Sequence, residues 1–287
     1  MSPILFDRRL LRKRRAQAAA HFTDFDFLLR EAAARLSDSF SYLKHTFPTI
    51  VELGSHTGQL AELLAHRPGT QHYIQCDIAP EMLQQTGGLR VALDEELLPF
   101  AENSVDAAVS IGALQYVNDV PGTLAQIFRI LKPDGLFMAV LPGVETLHEL
   151  RQVFATTDAA HSGGISPRVS PFVDIRDAGG LLQRAGFALP VADREMLTLS
   201  YENIFTLMRD LRGGAQQLML QQRLQHFTPR GWFQTAAQNY ATQFADAEGR
   251  IPVTVELVTM TGWKPAANQQ QPAKRGSGKV SFLDALN

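Results

Sequence analysis

Two hydrophobic periods alternate along this chain. Phe25, Leu28, Leu29, Ala32 and Leu36 recur at helical spacing. The apolar block Ile50-Val51 then runs through Glu52-Leu53 into the turn Gly54-Ser55-His56-Thr57-Gly58, and a helical pattern resumes at Gln59–Leu64. His72–Cys76 leads into Asp77 as a second strand, and Pro80-Glu81-Met82-Leu83 opens a helix with proline in its first turn. Arg90–Leu93 is a third short strand, ending at Asp94-Glu95. Asn103-Ser104 turns the chain into a fourth strand, Val105–Ser110. Leu124, Ile127, Phe128 and Leu131 follow the i, i+3, i+4, i+7 pattern of an amphipathic helix. Lys132-Pro133-Asp134-Gly135 stops it before a fifth strand, Leu136–Leu141. This alternation predicts an α/β fold with a doubly wound, mostly parallel sheet.

Beyond Gly143 the rhythm changes. A helix over Glu145–Phe154 is expected, then a loop from His161 to Pro167, then a helix over Asp174–Ala185 stopped by Gly186. Strands near Val191–Leu199 and Val253–Thr261 flank a helical insertion around Ile204–Tyr240. The tail from Lys264 is rich in Gln, Pro, Lys and Gly and reads as a loose extension. The organisation expected is a basic helical segment over 1–45, a core over 46–263 with the insertion at about 200–245, and a polar tail over 264–287.

Composition narrows the classes. With 45% hydrophobic and 20% charged residues the 287-residue chain can build a sizeable core. A net charge of −2 gives no argument for nucleic acid or an anionic membrane. The single cysteine, Cys76, excludes an internal disulfide and a cysteine-rich metal site. No apolar run approaches the ~20 residues of a spanning helix. His21, His45, His66, His72, His148, His161 and His226 are dispersed without metal-ligand spacing, so no metal is expected. Arg8, Arg9, Arg12, Lys13, Arg14 and Arg15 read as the solvated face of an amphipathic helix whose Leu10 and Leu11 pack.

The candidate chemistry sits at the strand ends. In a doubly wound sheet those ends share the edge where ligands bind. Glu52, Asp77 and Asp94 stand at three successive ends. A carboxylate after the second strand can accept both hydroxyl protons of a ribose diol, and Asp94 can accept from an exocyclic amine such as that of adenine. Gly54 and Gly58 permit turn conformations and close approaches that a Cβ hinders, and backbone N–H groups at the following helix start can meet a ligand anion. A nucleoside-type ligand is the expectation.

Val51–Gly58, Cys76–Met82, Ala92–Phe100, Ser104–Pro121 and Leu131–Gly135 together make the chain resemble class I S-adenosylmethionine (SAM) methyltransferases across roughly Phe47 to Pro142. The resemblance implies a Rossmann-like seven-stranded sheet whose last strands form an antiparallel hairpin. It implies the methionine part of SAM near Glu52, Gly54, Ser55, His56 and Gly58, and the ribose on Asp77. Adenine is implied near Ile78, Met82, Asp94 and Glu95, with Ser110 to Gln115 lining the sulfonium side. Ile4–Leu11, Ser166–Phe172, Leu181–Phe187, Phe205–Leu211, Gly262-Trp263-Lys264 and Pro272–Ser277 further resemble the methyltransferase-like assembly factors of respiratory complex I and their bacterial relatives. That subfamily implies SAM binding and modification, by hydroxylation, of an arginine on a Fe–S subunit of complex I. It also implies work in the bacterial cytoplasm, or in the mitochondrial matrix of a eukaryote.

Two departures bear on function. His56 stands where most of the superfamily carries glycine, and Gln115-Tyr116 replaces a His-Trp pair of some relatives, removing an evident general base. No catalytic residue is assigned from sequence. The alternatives are a SAM-dependent O-methyltransferase of a small molecule or of malonyl-carrier protein in the biotin pathway, and a non-catalytic assembly factor with a SAM-type fold.

Overall fold

The computed structural model describes residues 4–162, 164–267 and 269. Each apolar block that ends in an acid becomes a strand of one sheet. The strands are β1 (Thr49–Leu53), β2 (His72–Asp77), β3 (Leu89–Ala92), β4 (Val105–Ile111), β5 (Leu131–Pro142), β6 (Ala188–Tyr201) and β7 (Ile251–Trp263). Their order is β3-β2-β1-β4-β5-β7-β6. β1 to β5 pair in parallel, while β7 runs antiparallel between β5 and β6. This is the seven-stranded doubly wound sheet with a reversed terminal pair expected from the sequence. Register brings Leu53 level with Cys76 and Ser110, and Asp77 level with Ala92, so the acids lie along one edge.

The helices are α1 (Arg8–Ala18), α2 (Phe27–Ser41), α3 (Ala61–Leu64), α4 (Pro80–Leu83), α5 (Val120–Ile130), α6 (His148–Ser162), α7 (Ile175–Arg184), α8 (Ile204–Gly213) and α9 (Arg230–Phe244). Alternate strand residues separate the two faces of the sheet. Val51 and Leu53 pack with Leu124 and Ile127 of α5 and Leu182 of α7. Ile50 faces Leu36 and Phe40 of α2 and Leu64 of α3. A third cluster joins α6, α8 and α9 through Phe154, Leu207, Trp232 and Tyr240.

Several boundaries differ from the sequence reading. The third strand starts one residue earlier and releases Leu93. The helix after the glycine turn is a single turn, because Thr57–Leu60 remain in turn conformation. The fifth strand begins at Leu131, with the Pro-Asp-Gly stretch bulging out between its pairings to Val105 and Ala107. The helix expected over Glu145–Phe154 runs instead from His148 to Ser162, because Thr157 and Asp158 are buried by partners elsewhere in the fold rather than solvated at a helix end. The insertion resolves into α8 and α9, joined by a segment that folds back on the N-terminus. The expected loose tail lies outside the described residues beyond 269.

The N-terminal segment is fastened at several points. Asp7 caps α1 by accepting from Leu10 N–H, and its own N–H donates to the Met219 carbonyl. Asn118 Oδ1 accepts from the backbone N–H groups of Leu5 and Phe6, at 2.8 and 2.7 Å. Leu11 is buried as expected and Leu10 packs partly. Arg15, expected on a solvated face, is buried as deeply as Leu11, at 1% exposure. Its partners are described below.

Gly54 turns the chain out of β1 with φ of +72°, and a Cβ there would stand 2.1 Å from the Cβ of Ala113. Both the conformation and the contact exclude a side chain. Gly54→Ala is therefore expected to destabilise the fold by about 2–4 kcal/mol, read as a lowered urea midpoint by circular dichroism.

Candidate functional site

Glu52, Asp77 and Glu95 come together at the strand-end edge, each wholly buried, with Asp94 half-buried at the rim. Buried carboxylates need positive partners or protons. Asp77 and Glu95 obtain the partner from α1. Arg15 Nη1 donates to Asp77 Oδ2 at 3.0 Å and stands 3.6 Å from Glu95 Oε1. Arg8 Nη2 donates to Asp94 Oδ1 at 2.6 Å and also pairs with Glu95 Oε2. Arg8, Leu11 and Arg15 share one helix face, at i, i+3 and i+7, so the two guanidiniums descend onto the acids around a packed leucine. The basic helix thus meets an acidic surface within its own chain.

Asp77 has further donors. Its Oδ2 also accepts the N–H of His56 at 3.1 Å, and its Oδ1 accepts that of Ala79 at 2.8 Å. The glycine turn likewise spends its own backbone groups. Gly54 and Ser55 N–H both donate to the Cys76 carbonyl at 2.8 Å, and Gly58 N–H donates to Ser55 O. Those three N–H groups are therefore spent within the turn and on β2.

Glu52 takes the other route. Tyr73 donates its hydroxyl to Glu52 Oε2 at 3.0 Å. Burial, followed by the nearby charge of Asp77 and opposed by the Tyr73 bond, pushes the Glu52 carboxyl up to about 8. It is protonated at neutral pH.

His56 has φ of +50°, the left-handed region that favours glycine. Its N–H bond to Asp77 and a parallel stack on Phe22, with centroids 5.4 Å apart, hold it there. Burial, and then the charge of Arg15, holds its imidazole pKa well below the ordinary value, so the ring is neutral. Nε2 lies 3.2 Å from the Ile111 carbonyl, which assigns the proton to Nε2 and leaves Nδ1 as an acceptor. His56 packs and also carries a free polar atom.

That edge holds several buried polar atoms without a hydrogen-bond partner: Glu52 Oε1, Ser55 Oγ, His56 Nδ1, Gln59 Oε1, Glu95 Oε1 and Arg15 Nη2. Folded proteins satisfy such groups. Donors and acceptors orphaned at one edge fit a polar ligand with hydroxyls and an amine, such as an adenosyl amino acid. Ile78 is half-buried beside α1, and Met82 is buried against Phe22. Gly58 backs onto Gln75 and Thr86. Ser110 departs from the rest, because its hydroxyl donates to the Leu53 carbonyl and ties β4 to β1.

Gln115 stands in a different place. It lines a cavity of about 360 Å³ together with Gly112 and Tyr116. Apolar residues from α2, α6, α8 and β7 make most of its wall, and Arg14, Arg168, Asp210 and Arg212 supply its charge. Asp210 is its one acidic lining residue, and burial, followed by the nearby Asp210 charge, pushes the Tyr201 hydroxyl up to about 12. Arg168 is committed to Asp158 and stacks 4.0 Å above the Trp232 ring. Burial, and then the charges of Arg223 and Arg212, lowers the Arg14 pKa. The sequence reading missed Arg8 and Arg15. Their seven-residue spacing around Leu11, set against three acidic strand ends, was the available signal.

A methyltransferase-domain family model matches residues 51–139. The chain is 36% identical to "Arginine-hydroxylase NDUFAF5, mitochondrial" of Homo sapiens, over 97% of its own length and 82% of that protein. It is 33% identical to the malonyl-[acyl-carrier protein] O-methyltransferase of Gallionella capsiferriformans (strain ES-2), over 93% of its length and 94% of the relative. Among solved structures, a putative methyltransferase from Bacillus halodurans C-125 superposes with a TM-score of 0.57 at 15% identity, covering 82% of this chain and 99% of that one. The Bacillus YcgJ protein gives 0.56 at 16% identity, covering 83% and 100%. The fold, its acidic strand ends and these matches define a class I SAM-dependent methyltransferase, with SAM as cofactor. The chain belongs to the family that holds the NDUFAF5 arginine-hydroxylases and the malonyl-[acyl-carrier protein] O-methyltransferases.

Glu52 carries a pH consequence. Its folded pKa of about 8 lies above the ordinary carboxyl value, so its favourable protonated state is fully present below about 4.5 and lost as pH rises through 8. Wild-type stability is expected to fall across that window, and Glu52→Gln to flatten the slope. Urea unfolding of both proteins at pH 5 and pH 8 checks this, and parallel slopes would show that Glu52 is charged in the fold.

Proposed function

We propose that this protein binds SAM along the strand-end edge and modifies an arginine of a Fe–S subunit during assembly of respiratory complex I. The observation that carries this reading is the near end-to-end likeness to an arginine-hydroxylase. Glu52, Gly54, Ser55, His56 and Gly58 flank the methionine part. Asp77 accepts from the ribose, while Ile78, Met82, Asp94 and Glu95 border the adenine. Ser110 positions β4 from behind, and Gln115 faces the reacting side. The core over 46–263 carries the strand-end acids, and the segment over 1–45 brings Arg8 and Arg15 to them. In a bacterium the work falls in the cytoplasm, and in a eukaryote in the mitochondrial matrix. No helix among the described residues is long and apolar enough to cross a membrane.

When bound, the cofactor supplies an activated methyl group on a sulfonium. What the protein adds is position: the nucleophile must be held in line. An arginine stem suits the apolar wall made by Leu147, Leu150 and Phe154, and its guanidinium suits Asp210. Hydroxylating the same side chain additionally needs an oxidant from outside.

A specific observation favours a second reading. Arg14 and Arg212 place positive charge on the cavity and repel one another, which suits a carboxylate substrate such as a malonyl group on its carrier protein. Incubation with methyl-labelled SAM separates the two readings. Label on malonyl-carrier protein selects carboxyl methylation. A mass shift on an arginine of the Fe–S subunit, lost when the gene is deleted, selects the first reading. Neither product would move a scaffold role to the front.

Two substitutions sharpen the assignment. Asp77→Ala removes the ribose acceptor while Arg15 stays lodged against Glu95, and is expected to weaken S-adenosylhomocysteine binding by roughly 1–3 kcal/mol in calorimetry. Asp210→Asn is expected to lower arginine modification about tenfold or more with S-adenosylhomocysteine affinity unchanged. Equal loss of both would place Asp210 outside the substrate site.

A further inference from the structure

The carboxylates assigned above to the adenosyl group are already engaged by the chain's own arginines. The buried Arg15 side chain lies on Asp77 and Glu95. Arg8 is 12% exposed and lies on Asp94 and Glu95. A ribose diol needs the Asp77 carboxylate, whose Oδ2 is held by Arg15 and the His56 N–H and whose Oδ1 is held by the Ala79 N–H. We infer that α1 is a strap over the cofactor site, whose Arg15 must leave Asp77 for the adenosyl group to enter, so that cofactor entry and displacement of α1 are one exchange. This inference rests on the cofactor placement proposed above.

Independent observations support exchange rather than permanent closure. Arg15 Nη2 and Glu95 Oε1 are buried without hydrogen-bond partners, so the seat is incompletely satisfied. A buried guanidinium with a missing partner is held less firmly than a fully bonded one. The strap also has a route by which its movement is felt elsewhere. Arg14, the residue before Arg15, donates to the Leu218 carbonyl at 3.1 Å and lines the substrate cavity. Phe6 bridges to Leu220, and Arg223 pairs with Asp7 at 3.4 Å. Gln216, Gln217 and Leu218 of that same segment also line the cavity. Lifting Arg15 therefore shifts Arg14 and the wall it grips, and cofactor entry reshapes the substrate cavity through one helix.

The test measures S-adenosylhomocysteine binding to the full chain by calorimetry, for wild type, Arg15→Gln and Arg8→Gln. Removing the competitor is expected to tighten binding about tenfold in Arg15→Gln and less in Arg8→Gln, because a state that must open first lowers apparent affinity by its open fraction. In wild type, backbone amides of residues 8–18 are expected to exchange faster with the ligand bound than without. If Arg15→Gln does not fold, Arg8→Gln and the wild-type exchange experiment carry the test. Weaker binding in both variants would make the arginines cofactor contacts and overturn the strap. Unchanged affinity with unchanged exchange in 8–18 would overturn it while leaving the cofactor placement standing. No binding to any of the three proteins would overturn the placement and the strap together.

Discussion

Buried carboxylates at the carboxyl ends of β1, β2 and β3 set the terms for the rest of this structure. A sheet edge that gathers Glu52, Asp77 and Glu95 out of water is costly unless each charge is neutralised. Two solutions coexist within a few residues. Glu52 keeps its proton and takes one hydrogen bond from Tyr73. Asp77 and Glu95 draw Arg8 and Arg15 inward, and with them the whole first helix. The N-terminal segment is thereby part of the site rather than an appendage, although it precedes the first strand by thirty residues or so.

The glycine turn follows from the same constraint. Gly54 supplies a left-handed conformation and room for Ala113, and the turn closes on the Cys76 carbonyl. His56 adopts a conformation normally left to glycine, at a cost of about 1–2 kcal/mol, because its N–H binds Asp77 and its ring stacks on Phe22. An imidazole at that point does not fill the edge with positive charge, since burial and Arg15 keep it neutral. The departure from the family pattern is accommodated by neighbours contributed from the N-terminal segment.

How much of this was legible in the sequence depends on the range over which each signal acts. β1 and β2 were readable because an apolar block ending at an acid before a turn is a local pattern, and β4 because an apolar run follows the Asn103-Ser104 turn. The amphipathic helix α5 was readable from its period at Leu124, Ile127 and Phe128, but its end was not: the helix stops at Ile130, and Leu131, expected on its face, opens β5 together with the Lys-Pro-Asp-Gly stretch expected to stop it. The length of α6 was not, because Asp158 there is held by Arg168 and Trp232, which are distant in the chain or beyond a loop. The burial of Arg15 was not either. A run of six basic residues looks solvated on any local scale, and only the sheet topology brings an acidic edge to meet it. Ser110 and Gln115 illustrate the same limit: five residues apart, one ties two strands together and the other lines a cavity.

The placement of β7 has a consequence for the order in which the molecule can be made. β7 separates β5 from β6 and comes after every other strand in the chain. Until it is synthesised, β6 has no partner in the sheet and β5 has an open edge, so a growing chain presents unpaired backbone at both. The cavity waits on the same event, since Val253, Val255 and Leu257 form part of its wall. A chain halted before Ile251 already holds every strand of the parallel half and its acidic edge, yet lacks part of the cavity wall. The acidic edge and the walled cavity are thus completed at different moments of synthesis, and the cavity last.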